Sequence, residues 1–346
     1  MRSLLSLPPE VLQFVLRELD QADLCIAIRL SKTFYSIGIR ILYREIGDTQ
    51  PKLAPKNSIL LLKSLTSTRN PADADLRCSH VRLLRLDYLD GRITANLLRL
   101  LRRALSKLHA LRELHLEFSL QDNYYWLAWC LHDCPAQLRV FTTSIRCDAS
   151  LAAFLVKQHE LVELGLRGFQ TTSPFILPPT SLTKLSSFRT IHAGVAVLEE
   201  VVRGRPIDSV SISLFPEDEF SPLDVLQSSS VEIKRLTVLA LDDTPPVNLF
   251  AQVASRLPTL EALHIVVLLA RNSNHNLLAF APYLTGFSAL RYLTFMTGGA
   301  SEVVDEEHTV IRRWAEACKT LKTIILPQGK VWFERGGQWI CGDQTG

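Results

Sequence analysis

Leu111-Arg112-Glu113-Leu114-His115-Leu116 is a short phrase of an apolar residue, two others, an apolar residue, one other and an apolar residue. The two-residue spacing puts Leu114 and Leu116 on one face of an extended strand and Glu113 and His115 on the other. The phrase returns at Val81-Leu84-Leu86, Leu161-Leu164-Leu166, Ile207-Val210-Ile212, Leu236-Leu239-Leu241, Leu260-Leu263-Ile265 and Leu290-Leu293-Phe295. Weaker copies begin at Leu138, Leu182 and Leu321, and helix-like stretches such as Ala95 to Leu108 and Val247 to Leu257 fall between copies.

Ten starts between Val81 and Leu321 lie about 27 residues apart on average, inside the ~20–29 residue period of leucine-rich repeats. One strand-helix unit cannot cover its own apolar side, but a stack of such units buries a continuous core. The asparagine that regular repeats place just after the phrase is missing, since Ser119, Phe169 and Leu268 occupy that slot in three copies. The expected fold is therefore α/β: an irregular leucine-rich-repeat-like solenoid over residues 58–346, with a non-repeat α/β domain as the alternative. At its end, bulky residues alternate on either side of Gly336-Gly337 from Val331 to Ile340, which predicts a hairpin whose tryptophans seal the last repeat.

Working back to the amino end, Leu7-Pro8-Pro9-Glu10 leads into Val11, Leu12, Val15, Leu16 and Leu19, spaced for a helix. Proline fits there because the first helical N–H groups have no intrahelical acceptor. Asp20 and Ser31 are placed to cap two further helices, one carrying Leu24, Ala27 and Ile28 and one carrying Phe34, Ile37, Ile41 and Leu42. Three helices in about forty residues sit near the lower limit for independent burial of apolar surface. Each fully buried aliphatic side chain is worth about 1.5–3 kcal/mol, so an uncovered stripe favours a partner.

These residues, with Asp23-Leu24 and Ser31-Lys32 through Leu42-Tyr43-Arg44, resemble the F-box of fungal F-box proteins. The resemblance implies docking on the Skp-type adaptor of a cullin-RING ubiquitin ligase. By motif match, Leu7, Pro8, Val11, Leu12, Val15, Leu16, Leu19 and Leu24 form the adaptor-facing set. The sequence departs from the motif where many F-boxes place a tryptophan and this chain has Phe34-Tyr35. The alternative is an ordinary helical cap packed wholly on its own repeats. On this reading residues 1–46 are the F-box module and 47–57, with its prolines and low apolar content, the linker. A helix over Ser58 to Thr68 closed by Asn70-Pro71 and a first strand at His80–Leu86 extend the resemblance weakly.

Composition agrees with a folded chain: 47% of residues are hydrophobic and 21% charged, unlike disordered sequences. A formal charge of +3 with no run of like charge gives no footprint for nucleic acid. The mainly apolar run Leu257 to Ala270, broken by Glu261 and His264, is shorter than the ~20 residues of a spanning helix, so no membrane role is expected. Met1 to Leu7 meets Pro8-Pro9 before a secretory core of usual length is complete. Seven scattered cysteines, an odd number, suit reduced thiols, and the expected location is cytosol or nucleus.

No phosphate loop, Gly-x-Gly-x-x-Gly, His-Glu-x-x-His or Gly-x-Ser-x-Gly occurs, so neither catalysis nor a cofactor is expected. Cys130-Leu131-His132-Asp133-Cys134 lacks metal-site spacing and reads as helix-interior thiols. Glu302, Asp305, Glu306 and Glu307 before His308 read as acids favoured by a helix start. Arg99, Arg102, Arg103 and Lys107 read as a solvated helix face. The expected function is substrate recruitment for ubiquitination, with a target protein held on outward strand residues such as Glu113, His115, Glu163, His264 and Tyr292. A repeat scaffold without ligase association is the second reading, and an uncharacterised hydrolase the third. The replacement of Leu12 and Leu16 together by Asp is expected to abolish adaptor capture while the repeats stay folded.

Overall fold

The computed structural model describes residues 7–47, 53–89, 93–119, 126–215, 217, 219–240, 246–268, 277–298, 307–327 and 329–342. The chain divides into two compact units, Met1–Leu161 with Thr171–Pro174, and Val162–Gln170 with Phe175–Gly346.

The first unit opens with three helices, α1 (Pro9–Arg17), α2 (Gln21–Ala27) and α3 (Lys32–Arg44). Their caps are those expected from sequence: Asp20 Oδ1 accepts from the Asp23 N–H at 2.8 Å and Ser31 Oγ from the Phe34 N–H at 3.1 Å. Proline occupies the first turn of α1, where its missing N–H costs no hydrogen bond. Leu16, Leu24 and Ala27 form a small core, against which Leu19, Ile28, Phe34, Ile37, Ile41 and Leu42 pack.

Gly38 lets α3 lie close against the end of α2, because a β-carbon there would collide with Ile28 Cγ2. Gly38→Val is therefore expected to destabilise the helical module by about 1–3 kcal/mol through overpacking. Loss of adaptor capture and of helix protection in hydrogen exchange would register it, and an unchanged exchange pattern over α2 and α3 would refute it.

From α3 the chain passes straight into β1 (Glu45–Ile46), which pairs in parallel with β2 (Leu83–Tyr88). The helical module thus runs directly into the first sheet. Of the expected linker, residues 48–52 lie outside the described residues, and α4 (Pro55–Leu65) starts at Pro55, earlier than expected. Asn70-Pro71, read from sequence as a stop, instead starts α5 (Pro71–His80), with Pro71 in its first turn. Tyr43 Oη lies 3.3 Å from Ser64 Oγ, and the Arg77 guanidinium sits 5.9 Å from the Tyr43 ring centroid, so α3, α4 and α5 are tied together.

β2, β3 (Glu113–Phe118) and β4 (Val140–Thr143) continue in parallel, separated by α6 (Ala95–Leu105) and a 3-10 turn, and α7 (Ala149–Val156) follows. In the second unit β5 (Glu163–Leu166), β6 (Ser187–Thr190), β7 (Ser209–Leu214), β8 (Arg235–Ala240), β9 (Ala262–Val267), β10 (Tyr292–Thr297) and β11 (Thr323–Ile325) run parallel in sequence order. Between them lie α8 (Gly194–Val202), α9 (Ser221–Leu226), α10 (Pro246–Arg256), α11 (Ala281–Leu284) and α12 (Glu307–Ala317). An antiparallel hairpin, β12 (Val331–Arg335) with β13 (Gln338–Cys341), ends the sheet. Both turn residues, Gly336 and Gly337, have positive φ (58° and 85°), as a two-residue hairpin turn requires.

The register lines up the inward residues. Leu164, Phe188, Val210, Leu236, Leu263, Leu293 and Ile324 form one buried row, and Ile212, Val238, Ile265 and Phe295 another. Two copies of the phrase were misplaced by three residues. Leu236 shares a row with Leu263, not with Leu260, so its copy starts at Ile233 and Leu239 points to the opposite face. Likewise Phe188 pairs with Leu164, which moves the start from Leu182 to Leu185. Apolar residues at three-residue steps, Ile233, Leu236 and Leu239 in one copy and Leu182, Leu185 and Phe188 in the other, fit the phrase in either frame, and strand pairing selects between them.

Toward the end, Phe250, Phe280, Phe295 and Trp314 pack as one aromatic cluster, and the Trp314 indole donates to the Leu277 carbonyl at 2.8 Å. Trp332 is buried, its indole donating to Glu307 Oε2 at 3.3 Å, while Trp339 stays half-buried. Of the acidic run before His308, Glu307 is buried at the start of α12, and Glu302, Asp305 and Glu306 lie outside the described residues.

Candidate functional site

Helix α1 carries apolar residues on two faces, and the fold uses them differently. Leu12 (1% exposed) and Leu16 (4%), one turn apart, point into the chain's own interior, as does Leu24 (4%) on α2. Leu19 is partly buried against the same core. On the other side Leu7, Val11 (41%), Phe14 (68%) and Val15 (44%) face solvent, as does Pro8. The expected adaptor-facing set is thereby split. Leu12, Leu16 and Leu24 are buried by the chain's own fold and offer no free surface to a partner.

Three large apolar residues that the motif reading did not include are also exposed on this module: Phe14, Ile26 (60%) and Leu30 (70%). A signal for Phe14 was available, since residues 7, 11 and 14 follow the four- and three-residue steps of one helical face. Ile26 and Leu30 carry no such signal, because Leu24, Ala27 and Ile28 make an equally good stripe on the same short segment. Leaving so many large apolar groups in water on a module this small is unfavourable without a partner.

The outward strand residues chosen as target contacts fall in both units, and those of the second unit are spread along its sheet. Glu113 and His115 are half-buried on the outer face of β3, in the first unit. In the second unit Glu163 and Tyr292 lie in one register row, Glu163–Ser187–Ser209–Arg235–Ala262–Tyr292, five strands apart or about 24 Å at ~4.8 Å per strand. His264 sits beside Thr294, their Nδ1 and Oγ1 2.9 Å apart, and burial holds its imidazole below the usual range. The sequence reading missed a half-buried apolar row on that same outer face, Leu239, Val266 and Met296, in register on β8, β9 and β10. Beyond the strand ends, Phe169, His192 and Phe215 stack ring on ring at 4.9 and 5.9 Å.

Among the described residues no group of three His, Cys, Asp or Glu stands close enough together to hold a metal. The Cys130 thiol is pushed up to about 12 by burial, and the nearby Cys134 adds to the shift. His132 is exposed and pairs with Asp133 at 2.8 Å. Asp133 also pairs with Arg102, whose guanidinium stacks 4.1 Å from the Trp129 ring centroid, and Lys107 pairs with Asp75 at 2.9 Å. Arg102 and Lys107 are thus tied into local surface pairs. No helix among the described residues is long and apolar enough to cross a membrane.

A search of curated proteins finds no match to the chain. Comparison with family models does: residues 4–39, covering α1, α2 and most of α3, match the F-box domain, and the chain's first helices are an F-box domain.

Proposed function

We propose that this chain is a non-catalytic substrate-recognition adaptor of a Skp-cullin-F-box ubiquitin ligase, working in the cytosol or nucleus. The observation that carries the reading is the apolar face formed by Leu7, Val11, Phe14 and Val15, left in solvent on a helix that matches an F-box. An F-box implies a Skp-type adaptor as the partner for that face. Residues beyond the F-box form a leucine-rich-repeat-like array that holds the target on its outer strand face. The regular inward rows and the half-buried Leu239, Val266 and Met296 row support that assignment. Catalysis by proximity follows: a target held beside a ligase-bound ubiquitin carrier reacts because its effective concentration and orientation improve. The direct passage from α3 into β1 favours this, since a docking module stitched to the first strands transmits position better than one on a flexible tether.

Titration calorimetry of the full chain with a recombinant Skp-type adaptor tests the proposal. A one-to-one complex with a negative heat-capacity change is expected, because the contact buries apolar surface. No heat and no co-elution would leave the scaffold reading in its place.

A further inference from the structure

Beside the apolar face of α1 lies an open cleft of about 680 Å³, and its lining is strongly cationic. Arg17 from α1, Arg40 and Arg44 from α3, His80 at the end of α5, and Arg82 in the turn before β2 meet there, with Glu45 of β1 as the carboxylate among the lining residues. Glu45 is already engaged by Arg44, 3.4 Å away. Arg82 is braced by its own backbone, donating to the carbonyls of Ser79 at 2.8 Å and Val81 at 3.3 Å. Among the described residues neither Arg17 nor Arg40 pairs with a carboxylate, and both are exposed.

Four guanidinium groups against one carboxylate make a local excess as large as the formal +3 of the whole 346-residue chain. The cleft is therefore not a sample of a generally basic surface. Like charges gathered in one place repel, and the cleft shows the field: burial, then Arg40 and Arg82, hold the His80 imidazole below its usual range. His80 Nε2 also has no hydrogen-bond partner. An anion in the cleft would relieve the crowding of positive charge.

We propose that this cleft receives a carboxylate-rich peptide segment belonging to the partner that docks on α1. Planar guanidinium forks match carboxylates two bonds at a time. Their distribution over three elements, in an open cleft, suits an extended chain better than a compact phosphate ion. Arg17 follows Phe14 by three residues on α1, so a partner laid along the apolar face reaches the cleft without a detour. The identity of the partner rests on the F-box reading given above, whereas the anion recognition stands on the cleft itself.

Fluorescence anisotropy of a labelled octaglutamate peptide on the full chain tests the inference directly. Saturable binding is expected at low salt, weakening about tenfold or more by physiological ionic strength as screening sets in. Arg17→Gln with Arg40→Gln should weaken it by about tenfold or more, since exposed substitutions of this kind leave the fold intact. The His80 imidazole should titrate higher in the complex than in the free chain, because a nearby negative charge favours its protonated form. Equal binding by the double variant and the parent, or none by the parent, would overturn the proposal. So would displacement of the peptide by inorganic tripolyphosphate at lower concentration than by unlabelled octaglutamate, which would make the cleft a phosphate site. Failure of the adaptor to bind the parent chain would sink the F-box function while leaving the octaglutamate measurement to judge the cleft by itself.

Discussion

Val11→Glu together with Phe14→Glu is expected to reduce capture of a Skp-type adaptor by two to three orders of magnitude while leaving the melting of the chain nearly unchanged. Both side chains lie on the solvent side of α1, Phe14 at 68% exposure, so their removal deletes no interior contact. Glutamate is a good helix former, and surface substitutions of this type usually shift stability by no more than about 0.5 kcal/mol. In a complex each side chain would contribute about 1.5–3 kcal/mol of burial. Losing both, at about 1.4 kcal/mol per factor of ten, accounts for the size of the effect before the cost of desolvating two carboxylates is added.

Leu16→Asp makes the necessary contrast. Leu16 is 4% exposed and sits with Leu24 and Ala27, so a carboxylate there has no water and no partner. That variant should also lose capture, but with collapse of the helical module, visible as lost amide protection across α1 to α3. The same holds for Leu12, at 1%. A paired Leu12 and Leu16 substitution therefore reports on folding, not on docking, which corrects the choice that the motif alone would make. Capture undiminished by the Val11 and Phe14 double variant would sink the assignment of that face.

The F-box illustrates how far side-chain spacing reads. Existence, order and caps of the three helices followed from Pro8-Pro9, Asp20 and Ser31, because capping is local chemistry. Which apolar face turns inward did not, since α1 has candidates on both sides and the choice is made by how α1 packs against α3. In the sheet the two-residue strand period and the inward rows were legible, while Leu236 and Leu182 slipped by three because each has a second apolar residue at the alternative spacing. The basic cleft was invisible for another reason: its residues come from positions 17, 40, 44, 80 and 82, each unremarked in its own neighbourhood, and only the junction of α3 with α5 and β2 brings them together.

Arg205→Met should lower the stability of the second unit by about 3–5 kcal/mol, because several buried carbonyls lose their donor at about 1–3 kcal/mol each. Arg205 stands between Gly204 and Pro206. In the structure Arg205 is 2% exposed and its guanidinium works as a hub for backbone carbonyls. It donates to Ser181 O at 3.0 Å, Pro178 O at 3.1 Å, Val201 O at 3.2 Å and Glu200 O, and to Ser181 Oγ at 3.2 Å. Glu200 and Val201 lie in the last turn of α8, whose carbonyls have no helical partner and carry the negative end of the dipole. Pro178 and Ser181 belong to an irregular stretch without a ladder to satisfy them. One side chain thus substitutes for two missing pieces of secondary structure. Burial pulls its pKa down, with Glu200 opposing, but from a starting value so high that it stays charged. Methionine can fill much of the volume and none of the donors, leaving several buried acceptors unpaired. Lysine would restore the charge but not the planar fork that reaches both segments at once, so Arg205→Lys should recover only part of the loss. Urea unfolding followed by hydrogen exchange over residues 177–205 reads both variants, and a methionine variant whose midpoint and exchange match the parent would show that these carbonyls find water as good a partner as the guanidinium.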